Sequence, residues 1–313
     1  MKKLKVCFVG IGSIAKRHIK NLSDLCNKKG TSLHLDILRH SEKILEDDIK
    51  DYVNECYFDS NELPYDYDVI FITNPTSKHL DTIKEMQDKG RHFFIEKPVV
   101  SVDMLDRVGE ITIKEDSIYY VACPLRYSNV IEYIKNNINV DDVISIRCMS
   151  SSYLPDWRPG TDYRNTYSAR RELGGGVAID LIHEWDYIKY IFGAPQNVLS
   201  LKGKKSNLEI TSEDIAIYIA EYENMFVELH LDYFGRKTMR QIMIFTHDDT
   251  IIGDLIDNSV TYLVSGKKID FNEVRNDFYV KEMQHFLDMI EGKIVSDNNI
   301  IDAVNTMQIG KGD

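Results

Sequence analysis

The chain has 313 residues, of which 43% are hydrophobic and 28% are charged. This composition is typical of a globular protein with a buried core, and the length predicts about two domains. The net charge of −12 excludes an overall basic surface of the kind that attracts nucleic acid or anionic membranes, so we expect neither as a partner.

The cysteines are five in number, widely spaced and without a CxxC pair. We therefore predict reduced thiols in a cytoplasmic protein and no metal site. The N-terminus starts with the charges of an export signal, but the apolar run after them breaks at Gly10 and Gly12, which argues against export. No apolar run is long enough to span a membrane.

The first 123 residues alternate between predicted strands and helices, as in βαβ units with a parallel, doubly wound sheet. Gly90 is predicted to end the second helix in a left-handed conformation. Short apolar runs predict strands at 5–10, 33–38, 68–73, 92–95 and 118–123, and helical patterns fall at 13–29, 77–88 and 102–114.

The order of predicted elements changes after residue 124, where β-rich runs follow one another with little helix between them. This pattern predicts a second, α+β domain over 124–275 with a largely antiparallel open sheet. A helical C-terminal segment, 276–313, is expected to pack back between the domains. The predicted strands are 143–149, 197–204, 215–222, 226–233, 239–246 and 259–264, and a helix is predicted over 177–192.

A GxGxxA sequence lies between the first predicted strand and helix, which is the context that a dinucleotide-binding turn requires. Gly10 permits the tight turn, Gly12 lets backbone approach a pyrophosphate, and Ala15 lets the helix pack on the strand. Ser13 and Ile14 complete the turn, where the helix N-terminus favours an anion.

The end of the second predicted strand favours NADP over NAD. NAD enzymes place an acid there against the ribose 2′-hydroxyl, whereas this chain has Arg39 and Ser41, which suit a 2′-phosphate. Asp36 lies inside the strand and is a poor substitute. NAD stays open, because a solvated arginine at a strand end is common.

Three further motifs follow in order. Thr73-Asn74-Pro75 with His79 follows the third strand, Glu96-Lys97-Pro98 follows the fourth, and Gly174-Gly175-Gly176 precedes Asp180, His183 and Asp186. With the glycine turn, this ordered set resembles the glucose-fructose oxidoreductase / inositol dehydrogenase (Gfo/Idh/MocA) family. The resemblance implies that Thr73, Asn74, Pro75, His79, Glu96 and Lys97 serve the cofactor site, and that Lys97, Asp180 and His183 are catalytic.

The residues themselves are compatible with this chemistry. Lys97 directly follows a strand, where ligands collect in a doubly wound sheet, and its ammonium is suited to polarising a substrate oxygen. Asp180, His183 and Tyr187 share one face of the predicted helix, away from a core stripe, and histidine titrates near neutrality. The gap from Asp180 to His183 is three residues, where many family members have four with an intervening glycine. A structural ion pair of His183 with Asp180 or Asp186 is the alternative.

Residues 151–173 form a long irregular stretch rich in aromatic residues and arginines, just before that helix. Aromatic rings stack on sugars and arginines clamp carboxylates or phosphates, so this stretch predicts a substrate wall for an anionic sugar or sugar nucleotide. The alternative is a solvated loop whose arginines pair with surface acids. The candidate contacts are Arg126, Trp157, Arg158, Tyr163, Arg164, Tyr167 and Arg170.

The resemblance implies an NAD(P)-dependent dehydrogenase that transfers a hydride between nicotinamide and a hydroxyl-bearing carbon of a sugar-type substrate. An inositol, another polyol or a non-sugar carbonyl is the alternative substrate. A non-catalytic dinucleotide-binding regulator is an alternative of another class, which the presence of Lys97, Asp180 and His183 disfavours. Relatives commonly dimerise through the second domain's sheet, so we expect a homo-oligomer, a dimer or tetramer.

Overall fold

The computed structural model describes residues 3–40 and 45–312. The chain divides into two compact units, the first comprising Met1–Cys123 with Tyr279–Val304 and the second Pro124–Phe278 with Asn305–Asp313. All five cysteines are free thiols. Within the described ranges, the helices are each too short or too polar to cross a membrane.

The first unit contains a six-stranded parallel sheet in the order β3-β2-β1-β4-β5-β6. This confirms the predicted doubly wound sheet. Its strands are β1 (Lys3–Val9), β2 (Ser32–Leu38), β3 (Glu55–Tyr57), β4 (Tyr67–Ile72), β5 (Gly90–Ile95) and β6 (Tyr119–Val121). Its helices up to residue 123 are α1 (Ser13–Lys29), α2 (Asp47–Lys50) and α3 (His79–Met86).

Gly90 begins strand β5 and does not cap a helix, so the predicted left-handed conformation is wrong. A Cβ at this position would overlap the side chain of Ile70 on the neighbouring strand β4. The absence of a side chain is therefore required by strand packing. The segment predicted as helix over 102–114 is a 3₁₀ helix, Val102–Glu110.

The second unit contains an eight-stranded sheet in the order β14-β13-β12-β11-β7-β10-β9-β8. Only β7 and β10 run parallel among the neighbouring strands described, so the predicted largely antiparallel sheet is confirmed. The strands are β7 (Val143–Tyr153), β8 (Asn197–Gly203), β9 (Ile215–Glu221), β10 (Phe226–Asp232), β11 (Phe234–Thr246), β12 (Thr250–Asp254), β13 (Ser259–Tyr262) and β14 (Lys268–Asp270).

Helices cover one face of this sheet. These helices are α4 (Asn129–Asn137), α5 (Val177–Asp180) and α6 (His183–Phe192). Two further helices follow the last strand in the sequence, α7 (Asp277–Ile290) and α8 (Ile300–Lys311). Trp185 of α6 is fully buried against Tyr218 of β9, with their rings edge to face at 5.3 Å. The α6 residues Ile188 and Phe192 are also buried, as the predicted core stripe requires.

The single helix predicted over 177–192 is two helices. The N–H of Ile182 donates to Ile179 and that of Glu184 donates to Leu181, so the i→i−4 ladder is interrupted between α5 and α6. The prediction that Tyr187 lies on a helix face away from the core is also wrong. Tyr187 is fully buried and shares a hydrogen bond with Cys148 of β7 at 2.9 Å.

Candidate functional site

The turn between β1 and α1 has the geometry of an anion-binding turn. Gly10 has φ +88°, and a Cβ there would lie 2.7 Å from Cα of Asn74, so a side chain is excluded. At Gly12 a Cβ would meet nothing within 4 Å. Gly12 is also the N-cap of α1, whose first N–H groups receive no side-chain cap. Open space beside uncapped helix N–H groups fits the pyrophosphate of a dinucleotide.

The other residues of the motif fill the places expected of them. Ala15 is fully buried beneath the turn. Ser13 is exposed and Ile14 half-buried at the start of α1. Thus the small residue lies on the packed side of the helix, and the polar one lies on the open side.

The end of β2 carries no acid among the residues described. Arg39 is half-buried, donates from Nε to Sγ of Cys56 at 3.3 Å, and lies 5.5 Å from the ring of Phe58. Asp36 is 1% exposed and accepts the hydroxyl of Tyr67 at 2.7 Å, so it is occupied within the sheet. Ser41, which we predicted as a phosphate contact, lies outside the described residues.

The loop after β4 is fastened to the glycine turn. The hydroxyl of Thr73 donates to the carbonyl oxygens of Val9 at 3.0 Å and Gly10 at 2.8 Å. The amide of Asn74 donates to the hydroxyl of Thr82 at 2.7 Å. Thr73 and Asn74 therefore hold the edge of the turn in place, and Asn74 is the residue against which Gly10 packs.

His79 is an interior residue, only 1% exposed. Its Nε2 lies 2.9 Å from the carbonyl oxygen of Asn74, and its Nδ1 lies 3.1 Å from that of Pro98. Burial lowers the pKa of His79, against the opposing effect of these carbonyls. His79 thus joins the loop after β4 to the turn after β5. Pro75 is exposed beside it.

The Glu96-Lys97-Pro98 turn directly follows β5. The Glu96 carboxylate accepts Nε2–H of His18 at 2.6 Å and the backbone N–H of Lys97 at 3.2 Å. Burial opposes ionisation of Glu96, but the His18 hydrogen bond and the charges of His18 and Lys97 outweigh it and hold the pKa below its usual value. Lys97 is half-buried, and the turn that carries it is held by the hydrogen bonds of the Glu96 carboxylate.

In the second unit, the glycine triplet is required by contacts within the chain. A Cβ at Gly175 would overlap the carbonyl oxygen of Tyr167, and one at Gly176 would overlap the carboxylate of Glu213. Gly174 and Gly176 also have φ of +81° and +147°. The space that a side chain would need at this triplet is thus taken by a neighbouring loop and an acidic side chain.

Glu213 was not predicted as a site residue. Burial raises its pKa, although the backbone N–H groups of Glu213 itself and Ala178 favour the carboxylate. Because the native state binds this proton more tightly than the unfolded chain, Glu213 makes stability fall as the pH rises through its folded pKa.

We therefore expect Glu213→Gln to raise the unfolding midpoint at about pH 8 and to leave it unchanged at about pH 4, where both states are protonated. Thermal unfolding at both pH values measures this, with the exposed Glu223→Gln as the control. An equal shift at the two pH values would contradict the assignment.

Asp180 lies next to two tyrosines. Tyr233 donates its hydroxyl to Oδ2 of Asp180 at 2.5 Å, and Tyr167 lies close enough for the charge of Asp180 to act on its hydroxyl. Burial, together with the charge of Asp180, raises the pKa of both tyrosines well above the usual value, so both are protonated donors at neutral pH. Asp180 itself is 5% exposed, and Tyr167 is 39% exposed as a whole residue although its hydroxyl lies in buried surroundings.

His183 is the half-buried first residue of α6. Asp180 is the last residue of α5, so the two lie on successive short helices. Asp186 is committed to Arg126 by a bidentate pair, with Nε at 2.9 Å and Nη2 at 2.7 Å from its carboxylate oxygens. Arg126 is 6% exposed and lies over the ring of Tyr190.

The stretch after β7 consists of short 3₁₀ turns held by its own contacts. Arg164 pairs with Asp162 at 2.9 Å and with Glu209 at 3.1 Å, and the hydroxyl of Tyr163 accepts the N–H of Glu209. Arg170 lies 3.9 Å from Glu172. Arg164 and Arg170 therefore have acids of the same chain as partners.

The aromatic part of the stretch lies near Asp180. Trp157 packs edge to face on Tyr233 at 5.2 Å, and the guanidinium of Arg158 lies 5.9 Å from the ring of Tyr167. Since Tyr233 bonds to Asp180 and the charge of Asp180 acts on the hydroxyl of Tyr167, the structure brings Trp157, Arg158 and Tyr167 together near that carboxylate.

Besides Glu213, Tyr233 and His18 were also not predicted, for different reasons. Tyr233 follows an ordinary alternating strand, and no local signal marks it. His18 lies on the buried face of α1 with Ala15 and Leu22, and a histidine at an apolar position of that helix was a usable signal.

Residues 4–123 match a family model described as "Oxidoreductase family, NAD-binding Rossmann fold", and residues 156–312 match "Oxidoreductase family, C-terminal alpha/beta domain". An uncharacterized oxidoreductase, YrbE, of Bacillus subtilis (strain 168) is 27% identical over 71% of this chain, and the match spans 65% of that relative's length. The scyllo-inositol 2-dehydrogenase (NAD(+)) of the same organism is 25% identical over 78% of this chain and 73% of its own length.

Similar solved structures include a levoglucosan dehydrogenase in complex with NADH and levoglucosan (13% identity, TM-score 0.82, 99% of this chain and 95% of that one). The UDP-N-acetylglucosamine 3-dehydrogenase of Acidithiobacillus ferrooxidans has 17% identity and TM-score 0.78 over 99% of this chain and 96% of its own. These likenesses show the fold. The predicted resemblance is confirmed: the chain belongs to the Gfo/Idh/MocA family of oxidoreductases, with an NAD-binding Rossmann domain and a C-terminal α/β domain.

Proposed function

We propose that the chain is an NAD(P)-dependent dehydrogenase that oxidises a secondary hydroxyl of a sugar or cyclitol, or reduces the corresponding ketone. The observation that carries this proposal is the Asp180 carboxylate, which accepts the protonated hydroxyl of Tyr233, lies near Tyr167 and stands three residues before the half-buried His183. Such a cluster is suited to holding a substrate hydroxyl and moving its proton.

The proposed division of labour follows the chemistry of each side chain. Bound NAD(P)⁺ supplies the acceptor for the hydride. His183 takes the hydroxyl proton during oxidation and returns it during reduction, Lys97 polarises the same oxygen, and Asp180 orients the histidine or the substrate.

The substrate class we propose is the sugar type, with an anionic sugar or sugar nucleotide as the predicted form. Among the arginines that suggested an anion, Arg158 lies at the aromatic cluster around Asp180, which supports this form. The neutral polyol is the second candidate, because Arg164 and Arg170 have acidic partners of their own. Relatives with inositol and sugar-nucleotide dehydrogenase names are compatible with either.

The test is a panel of inositols, hexoses, sugar acids and sugar nucleotides, assayed with NADP⁺ and NAD⁺ by the absorbance of the reduced nicotinamide. Turnover with an anionic member that Arg158→Ala weakens supports the anionic form, and turnover with neutral polyols alone contradicts it. Dinucleotide binding without turnover of any member, in either direction, would favour the non-catalytic regulator.

We propose NADP as the preferred cofactor, with Arg39 as the 2′-phosphate contact. Arg39→Ala is expected to weaken NADPH binding about 10- to 100-fold and NADH binding less than about threefold, as for loss of a charge-assisted hydrogen bond. Fluorescence titration measures both affinities, with the exposed Arg91→Ala as control. Equal affinities for the two cofactors in the unaltered protein would remove Arg39 from the site.

We also propose that the open face of the eight-stranded sheet pairs with a second copy of the chain. Leu199 and Leu201 of β8 lie directly opposite Ile219 and Ile217 of β9, and these side chains are between 38% and 76% exposed. A contiguous apolar surface of this kind is typical of an interface.

Leu201→Asp should therefore lower the molar mass measured by light scattering from an oligomer to a monomer. Val295→Asp in the first unit, at an apolar side chain that is even more exposed, serves as the control. A mass that Leu201→Asp does not change, or a monomeric unaltered protein, would contradict this pairing.

A further inference from the structure

We propose that His18 is a positioning residue for Lys97, acting through the carboxylate of Glu96. The inference rests on the proposed function, in which Lys97 polarises the substrate oxygen. All the contacts that carry it lie within the first unit.

The imidazole of His18 has a fixed orientation. It is fully buried in α1, and its ring packs edge to face against Phe94 at 4.9 Å and Tyr279 at 6.2 Å. These aromatic neighbours leave Nε2 aimed at Oε1 of Glu96, 2.6 Å away. A ring held in this way gives the carboxylate one defined partner.

The Glu96 carboxylate also stabilises the backbone turn that carries Lys97. Oε2 of Glu96 accepts the backbone N–H of Lys97, while the backbone N–H of Glu96 donates to Ile72 of β4 at 2.9 Å. The Glu96 side chain is 13% exposed, so water competes little for these bonds. The chain from His18 to Glu96 to Lys97 is therefore continuous.

The position of this chain distinguishes it from an ordinary buried pair. His18 lies in the second turn of the helix that begins at Gly12, and Glu96 lies at the end of β5. The pair thus links the helix of the dinucleotide turn to the turn of the catalytic lysine. An orienting role predicts an effect on turnover, whereas a purely structural role predicts an effect on stability alone.

The test compares His18→Ala, His18→Gln and the unaltered protein, with the substrate found in the panel. We expect His18→Ala to lower kcat about 10- to 100-fold, as for a small displacement of a catalytic group, with KM and the NAD(P)H Kd within about threefold. His18→Gln retains an N–H for Glu96 and should recover most of the loss. His92→Ala, which removes another buried imidazole bonded to the backbone of Ile118, should lower stability without lowering kcat.

A second measurement needs no substrate. The rate at which an amine-selective reagent labels Lys97, determined by peptide mapping, should change at least about threefold in folded His18→Ala and Glu96→Gln, and hardly in His18→Gln. Labelling of the exposed Lys28 is the internal control. Unchanged Lys97 labelling in both variants would overturn the positioning role. Full activity of Lys97→Ala would instead overturn the proposed function and leave the labelling result standing.

Discussion

Replacing His183 with alanine lowers kcat about 10²- to 10⁴-fold and leaves the Kd for NADPH within about twofold of the unaltered protein. The loss follows because the imidazole is the group that takes the substrate proton, and alanine has no replacement for it. Stability should change little, since His183 is a half-buried residue at the start of α6. Steady-state rates and fluorescence titration of the same preparation measure the two effects.

His230→Ala is the matched control for this variant. His230 is also a half-buried histidine of the second unit and is bonded to Asp232 at 3.1 Å, and its loss should leave kcat within about twofold. If His183→Ala and His230→Ala have the same kcat, the proton-transfer role of His183 is wrong.

Adding one methyl group at Gly12 weakens NADPH binding more than about 30-fold, while the free energy of unfolding stays within about 1 kcal/mol. The two effects separate because a Cβ at Gly12 meets no protein atom within 4 Å, whereas Gly12 is the N-cap of α1, where we expect the pyrophosphate to approach the backbone closely. Titration with NADPH and denaturant unfolding measure the affinity and the stability of Gly12→Ala.

Gly10→Ala and Gly30→Ala complete the comparison. At Gly10 the methyl meets the backbone of Asn74 at positive φ, so we expect a loss of about 2–4 kcal/mol of stability. At Gly30 the φ is +65° but the space is open, and the expected loss is about 1 kcal/mol. A destabilised Gly12→Ala with unchanged NADPH affinity would mean that the open space is not a ligand site.

The features predicted best from the sequence are those fixed by local pattern. The run before Gly10 predicts a buried strand because both faces of a parallel sheet are covered, and α1 lies at Ser13–Lys29 as its periodicity indicated. The ordered motifs then led to the family, which the matches confirm.

The errors arose where a distant contact decides the local structure. Gly90 is required by Ile70 on the next strand, and no pattern near residue 90 reveals this. The segment across α5 and α6, 177–192, contains no glycine or proline that would mark the break between them, so the local sequence predicts one helix. Tyr187 was placed on a polar face, because its burial depends on Cys148 of β7.

The candidate site shows the same limit. Arg164 was placed with the substrate because its sequence neighbours are aromatic, but one of its acidic partners, Glu209, lies 45 positions along the chain. Tyr233 reaches Asp180 from more than fifty positions along the chain. Partners of this kind follow from tertiary packing and are invisible to motif spacing.

The most direct test of the central claim is a calorimetric titration of the purified protein with NADPH and with NADH. We expect saturable binding of one dinucleotide per chain, tighter for NADPH, and weakened more than about 30-fold by Gly12→Ala. Absence of binding by both dinucleotides, in protein shown to be folded, would contradict the claim that this chain is an NAD(P)-dependent dehydrogenase.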